Sequence, residues 1–483
     1  MDKKQTKSTA AAIETDARET ALAVLVETEK NKITLDRALA RFSHRLDRLS
    51  KRDRALANSI IYGTLRWRGH LDWIIIAFSS RRLDQMALEV RCLVRMALYQ
   101  IVHMDRIPVS AAVNSAVSMA RKTAGKPAAG FVNALLRKAG HNHAAVALPD
   151  RKKDPALFMA AAKSLPLWLS KLWIRQFGVE KSLKLCDAIN QIPVITVRAN
   201  TLKIQRQDLV PLLEKIAADL SLTRYAATGV SFSRPALPIA EMEPFQQGLF
   251  QVQDEAAQLV TTLLDPQPGE RILDACAGLG GKTGHAAQCM ENRGEITAWD
   301  KDREKLLILE SEMKRLGISV VKTGERDLLE PPGPWHQNSF DRVLLDAPCT
   351  GLGVLRRNPE ARWNRCREDI PRLAAIQSRM LFHAADLVKP GGRLVYAVCS
   401  CQTRENEAVI QTFLDQRKEF SITGTPLLSP GTPPGKSHDR PATENSTPPV
   451  PADLISDRGF LKTYPDTPSM DGFFAVAMDK KTV

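Results

Sequence analysis

The chain has 483 residues, 44% of them apolar, with a formal charge of +14 and a pI near 9.4. That length calls for two or three domains with real cores, and the positive excess predicts an anionic partner, nucleic acid first. Eight cysteines without a CxxC pair argue against structural zinc and a disulfide scaffold, and no run approaches the roughly 18 apolar residues that span a membrane.

The opening stretch MDKKQTKSTAAAIETDARET lacks the apolar core of a secretory signal. A cytoplasmic protein with free thiols is therefore expected, with residues 1–14 as a flexible tail. Residues 15–145 carry helical periodicity throughout; in RCLVRMALYQIVHM, Leu93, Met96, Ala97, Ile101 and Met104 share one face. This predicts an all-α domain. Residues 146–158, which include LPDRKKDPA, read as a linker. Residues 159–244 read as a small mixed α/β region, where PVITVRANTLK alternates from Val194 to Arg198 as a half-buried strand does.

From 245 to 483 the rhythm changes. RILDACAG, EITAWD, FDRVLLDAP and GRLVYAVCS are strand candidates, with helical segments such as REKLLILESEMKRLG between them. Such alternation predicts a Rossmann-like α/β domain with a mostly parallel sheet, whose ligands bind at the carboxyl ends of the strands. Residues 426–451 hold eight prolines and read as a disordered insertion, after which DGFFAVAM resumes as a last strand.

Four of these strand ends carry chemistry. In DACAGLGGKT, Gly278, Gly280 and Gly281 allow a tight turn against a ligand ahead of a helix. The pattern is neither GxGxxG nor a full Walker loop. Asp300 lies twenty-six residues after Asp274 and suits the hydroxyls of a ribose, although it also suits a helix cap. Glu325 or Asp327 is then in reach of an adenine ring. The pair of glycine turn and downstream acid predicts an adenosine-containing cofactor, either a dinucleotide or S-adenosylmethionine. Asp346 and Cys349 stand in DAPC, and Cys399 ends LVYAVC, with Cys401 two residues on. A single buried thiol is usually a small hydrophobe. Two thiols converging on one pocket without metal or CxxC fit cytosine C5 methylation. One adds to C6 and makes C5 nucleophilic, the other assists release, and a neighbouring acid such as Asp346 draws charge from the ring.

The segments DACAGLGGKT, DAPCTGLGVLRRNPEARW and LVYAVCSCQTRENEAVI, with the terminal DGFF, resemble the motifs of the NOL1/NOP2/Sun class of RNA cytosine-5 methyltransferases. RDRALANSIIYGTLRW resembles the RNA-binding fold of the antitermination factor NusB. The combination is similar to the small-subunit ribosomal RNA methyltransferases of the Sun/Fmu type, over nearly the whole chain except the tail and the proline-rich insertion. The resemblance implies that Cys399 attacks C6 and Cys349 assists release. It implies that Cys276, Ala277, Gly278, Leu279, Gly280, Gly281 and Lys282 wrap S-adenosylmethionine, that Asp300 holds the ribose and Asp327 lies near the adenine, and that Asp346 sits between cofactor and cytosine. The family's usual Ala-Pro before Gly-Gly is Gly278-Leu279 here, and Val398 replaces the usual Thr.

Between 356 and 379 seven arginines stand against three acids, with Trp363 among them. Arg356 and Arg357 are expected to neutralise phosphate and Trp363 to stack on an extruded base. The resemblance adds Arg198 and Asn200 as RNA contacts. The expected substrate is one cytosine of 16S rRNA, without metal and with the chain as a monomer. Competing expectations are a cytosine-5 methyltransferase of tRNA, a non-catalytic NusB-like regulator, or a DNA enzyme in which Cys349 attacks.

Overall fold

The computed structural model describes residues 16–331, 333, 337–423, 450–466 and 470–482. The expected tail 1–14, and the expected insertion 426–451 apart from Val450 and Pro451, lie outside the described residues. The chain forms two compact units, residues 1–190 with 358–364, and residues 191–357 with 365–483.

The first unit is helical. Its long helices are Ala17–Asn31, Lys51–Phe78, Leu88–His103 and Val109–Asn142. Asp16 and Ser50 accept hydrogen bonds from backbone N–H groups of the first turns they precede, which sets two of the starts. Gly125, at φ 84°, breaks the last helix just before Pro127. Leu93, Met96 and Ala97 are fully buried, whereas Ile101 and Met104 pack at the margin of the same core. Arg95 is buried and paired by Asp72 and Glu29, so this core contains an ion network as well as apolar contacts. The segment read as linker ends inside a helix, Pro155–Ala162, started by Asp154 and its following proline. By compactness that helix and Leu167–Asn190 fall in the first unit.

The second unit opens with an antiparallel sheet of β1 (Ile195–Ala199), β2 (Ala218–Leu222), β3 (Gly229–Ser233) and β4 (Phe250–Val252) in the order β2-β3-β1-β4. Val197 and Ala199 face its apolar core with Phe232 and Phe250. The larger sheet holds β5 (Arg271–Asp274), β6 (Glu295–Asp300), β7 (Val321–Glu325), β8 (Phe340–Asp346), β9 (Val388–Val398), β10 (Phe420–Ile422), β11 (Leu461–Lys462) and β12 (Phe474–Lys480). Its order is β10-β12-β9-β8-β5-β6-β7, with β11 on β12. The five strands β9 to β7 are parallel, and β12 and β10 are antiparallel additions. Helices cover both faces, which is why the central strands read as continuous apolar runs. Leu259, Ala286 and Leu309 belong to the core of one face, and Leu381, Ala384 and Phe413 to that of the other. The chain passes from β5 outward to β6 and β7, then back to β8 on the opposite side. The crevice for a ligand opens where that order reverses, between β5 and β8. Among the described residues no helix is long and apolar enough to cross a membrane, and no group of three His, Cys, Asp or Glu side chains is placed to hold a metal.

Candidate active site at the carboxyl ends of the parallel strands

Asp274, Asp300 and Asp346 end β5, β6 and β8, and Val398 ends β9. The turn after β5 is held from both sides: Ala275 N donates to Leu344 O at 2.8 Å and Ala277 N to Trp299 O at 2.8 Å. Gly278 and Gly280 adopt φ of +57° and +83°, the left-handed region. No atom lies within 4 Å of a Cβ built on Gly278, and a Cβ on Gly281 meets only Gln253 at 3.9 Å. The turn is therefore an open cradle, leading into helix Gly281–Cys289, which has no side-chain cap. Asp300 accepts from Gly278 N and from Asp302 N, both at 2.9 Å, one on each carboxylate oxygen. Each oxygen keeps a second lone pair for a ribose hydroxyl. Asp327 accepts from Leu329 N at 3.0 Å, whereas Glu325 is exposed and turned to Arg303. An adenosyl group fits this donor set: two carboxylate oxygens beside an unfilled glycine cradle at a helix N-terminus.

On the β8 side, Asp346 accepts from the Lys282 ammonium at 2.6 Å. Burial opposes the Lys282 charge, but Asp346, helped by Asp274 and Cys399, outweighs it and raises its pKa. The ammonium also stands 5.4 Å from the centre of the Phe473 ring. Burial pushes the Asp274 carboxyl up to about 6, although Thr283 donates to it at 2.7 Å.

The two focal thiols meet. Cys349 Sγ and Cys399 Sγ are 3.3 Å apart. Cys349 is held well above the usual thiol pKa by the hydrogen bond to Cys399, by burial, and by the Glu405 carboxylate. Cys401 does not join them. β9 ends at Val398, and Cys401 is buried where a Cβ on Gly472 would come within 2.6 Å of its sulfur. The reading from sequence overlooked Glu405. Fully buried, it accepts from Thr350 N at 2.8 Å, Thr350 Oγ1 at 2.5 Å, Ser400 Oγ at 2.5 Å and Gln377 Nε2 at 3.0 Å. The only signal for it in sequence is an acid six residues after Cys399 in CSCQTREN.

The expected RNA contacts require correction. Arg198 is fully buried, and its guanidinium donates to Gln288 at 2.8 Å, to Gln251 and Gly281 O at 2.9 Å, and to Gln253. Asn200 is equally buried and donates to Gly248 O and Leu316 O. The face of β1 that alternation leaves polar is covered by helix Gly281–Cys289, not by solvent. Arg356 is buried against Asp471, and Arg357 bridges Asp471 and Asp254. Trp363 belongs to the first unit, where its indole N–H donates to Leu65 O at 2.7 Å and Arg68 lies over its ring. Its neighbour Arg362 is fully buried, donating to Arg66 O, Ser164 O and Ile189 O. Buried guanidinium and indole donors need acceptors, and these residues spend their donors on the protein. Arg367, Arg372 and Arg379 are the exposed members of the arginine run.

The family model described as 16S rRNA methyltransferase RsmB/F matches residues 261–479, and those for the NusB family and for the ferredoxin-like domain of RsmF/B-like methyltransferases match 15–141 and 165–239. A curated relative from Bacillus subtilis (strain 168), named probable ribosomal RNA small subunit methyltransferase B, is 32% identical over 97% of this chain and 99% of its own length. The chain belongs to the RsmB/F family of 16S rRNA methyltransferases. A second RsmB-named relative, from Synechocystis sp. (strain ATCC 27184 / PCC 6803 / Kazusa), is 34% identical over 80% of this chain and 85% of its own. The crystal structure of PH0851 superposes with a TM-score of 0.77 at 26% identity, covering 95% of this chain and 98% of that one. RsmB/F chemistry is methylation of RNA, and S-adenosylmethionine is the cofactor.

Proposed function

We propose that this chain methylates C5 of one cytosine in 16S rRNA through a covalent bond between Cys399 and C6. The observation that carries the reading is the 3.3 Å approach of Cys349 and Cys399 beside the Lys282–Asp346 pair. S-adenosylmethionine supplies an electrophilic methyl group, and Cys276 to Lys282, Asp300 and Asp327 are proposed to hold it. Cys399 is the attacking thiolate in this reading because LVYAVCSC resembles the family motif that carries the nucleophile, and it follows the end of β9. Its sulfur forms the bond to C6, the C5=C6 electron pair shifts to C4=C5, and the displaced C4=N3 pair gathers on N3, leaving C5 nucleophilic. Asp346, already accepting from Lys282, is an acceptor for the exocyclic amine, while the Lys282 ammonium is the donor that draws charge from the ring. C5 would then take the methyl group, with the methyl–sulfur bond of the sulfonium breaking and a neutral thioether as the leaving group. The C5 proton leaves to solvent, the C5=C6 bond re-forms and the C6–S bond breaks, with the Cys349 thiol, 3.3 Å away, beside the departing sulfur.

The test uses unmodified 16S rRNA, S-adenosylmethionine and wild type, Cys349→Ala or Cys399→Ala, scored for 5-methylcytosine and for adducts that survive denaturing gels. Cys349→Ala is expected to accumulate adduct, and Cys399→Ala to give neither adduct nor product. Methylation by Cys399→Ala with no adduct from Cys349→Ala would reverse the roles. A wild type that methylates tRNA and not 16S rRNA would move the substrate.

A further inference from the structure

One carboxylate touches the residues that follow both cysteines. Thr350 succeeds Cys349 and Ser400 succeeds Cys399, and each donates its hydroxyl to the same oxygen of Glu405 at 2.5 Å. The other oxygen takes Thr350 N and Gln377 Nε2, and Gln377 also donates to Pro348 O at 3.0 Å. The Glu405 main chain is pinned in turn, since its carbonyl accepts from Tyr396 in β9 at 2.6 Å. Asn406 Nδ2 donates to Ser400 O at 3.1 Å. Two N–H and two O–H groups therefore donate to the Glu405 side chain, and none of these four is a cationic group.

We propose that Glu405 is a positioning residue for the thiol pair: its buried carboxylate clamps the Cys349 loop to the Cys399 turn and sets the sulfur–sulfur approach. The inference rests on the two-thiol reading above. A clamp alone needs only hydrogen-bond acceptors, which a glutamine side chain partly supplies. The charge does something more. It faces a pair of sulfurs that share a hydrogen bond, and it disfavours a second negative charge on Cys349. Glu405 thereby adds to the burial and to the Cys399 hydrogen bond that hold the proton on Cys349.

The experiment uses the full chain as wild type, Glu405→Gln and Thr350→Val. Iodoacetamide labelling is followed across pH, with the Cys349 and Cys399 peptides quantified separately by mass spectrometry. Calorimetry measures S-adenosylmethionine binding, and single turnover measures methyl transfer to 16S rRNA. In wild type the Cys349 peptide is expected to label only at alkaline pH. Glu405→Gln is expected to label Cys349 faster near neutral pH than wild type does, since one of the groups that hold its proton is then neutral. Its turnover is expected to fall about tenfold or more with S-adenosylmethionine binding unchanged. Thr350→Val, which keeps the charge and loses one tie, is expected to slow turnover with less change in labelling. Wild-type labelling and turnover in both variants would overturn the proposal, as would loss of cofactor binding in parallel with turnover. Labelling needs no RNA, so a wild type that makes no 5-methylcytosine sinks the C5 reading without disturbing this readout.

Discussion

Gly280 and Gly278 lie two residues apart in the cofactor turn, and the structure separates the consequences of giving each a side chain. Both have positive φ, so alanine at either position carries the left-handed cost of about 1–2 kcal/mol. At Gly278 that is the whole cost, because a Cβ there meets nothing within 4 Å. At Gly280 the Cβ would stand 2.7 Å from Leu309 Cγ and 3.1 Å from Met313 Cε. Leu309 is fully buried in the core beneath the sheet and cannot withdraw without opening that core. Overpacking of this kind adds about 1–3 kcal/mol, bringing Gly280→Ala to roughly 2–5 kcal/mol. If the turn relieves the clash by moving, the cradle moves with it, and S-adenosylmethionine binding weakens by about thirtyfold to a few thousandfold. Urea midpoints with and without cofactor, and calorimetry of cofactor binding, measure both quantities. The reasoning fails if Gly278→Ala lowers the cofactor-free urea midpoint as much as Gly280→Ala does, or if Gly280→Ala binds and unfolds like wild type.

Two further outcomes follow from groups described above. Asp274 carries a folded-state pKa of about 6 against an ordinary 3.8, raised by burial, so the native state holds its proton more tightly. Its contribution is complete below the ordinary value and is lost as pH rises through about 6. Asp274→Asn should therefore lose less stability than wild type between those limits, by roughly 3 kcal/mol; parallel pH series of urea midpoints would refute this. Trp363→Phe should cost about 1–2 kcal/mol through the orphaned Leu65 carbonyl and leave 16S rRNA affinity within about twofold. Filter binding that weakens tenfold or more with an unchanged unfolding midpoint would restore the stacking role.

The strands were legible where burial on two faces produced a continuous apolar run. EITAWD coincides with β6, and FDRVLLD with β8. The acids and cysteines at those strand ends were legible for the same reason, since a parallel sheet delivers its carboxyl ends to one edge. The pairing of Cys349 with Cys399 needed the adjacency of β8 and β9, which sequence order implies only through the fold. Arg198 failed because alternation reports a polar face without saying what covers it. The arginine run failed differently. Clustered charge reads as surface, but Arg356 and Arg357 answer Asp471 and Asp254, more than a hundred residues away from them. Glu405 was illegible because its importance lies in four donors brought from three separate segments. Only the end of the expected linker is helical, because Asp154 and Pro155 form a helix start inside its charged stretch.

The position of β12 has a consequence for the order in which the site can be assembled during synthesis. β12 lies between β9 and β10, and the residues just before it supply Asp471 to Arg357 and Phe473 to Lys282. A nascent chain that has emerged through β10 has every cysteine of the site, yet β9 still has an unpaired edge. Arg357 at that stage has only Asp254 of its two acids, and Lys282 lacks its aromatic wall. Completion of the pocket is therefore coupled to emergence of residues 471–480, and a stalled or shortened chain carries the thiols without the finished site around them.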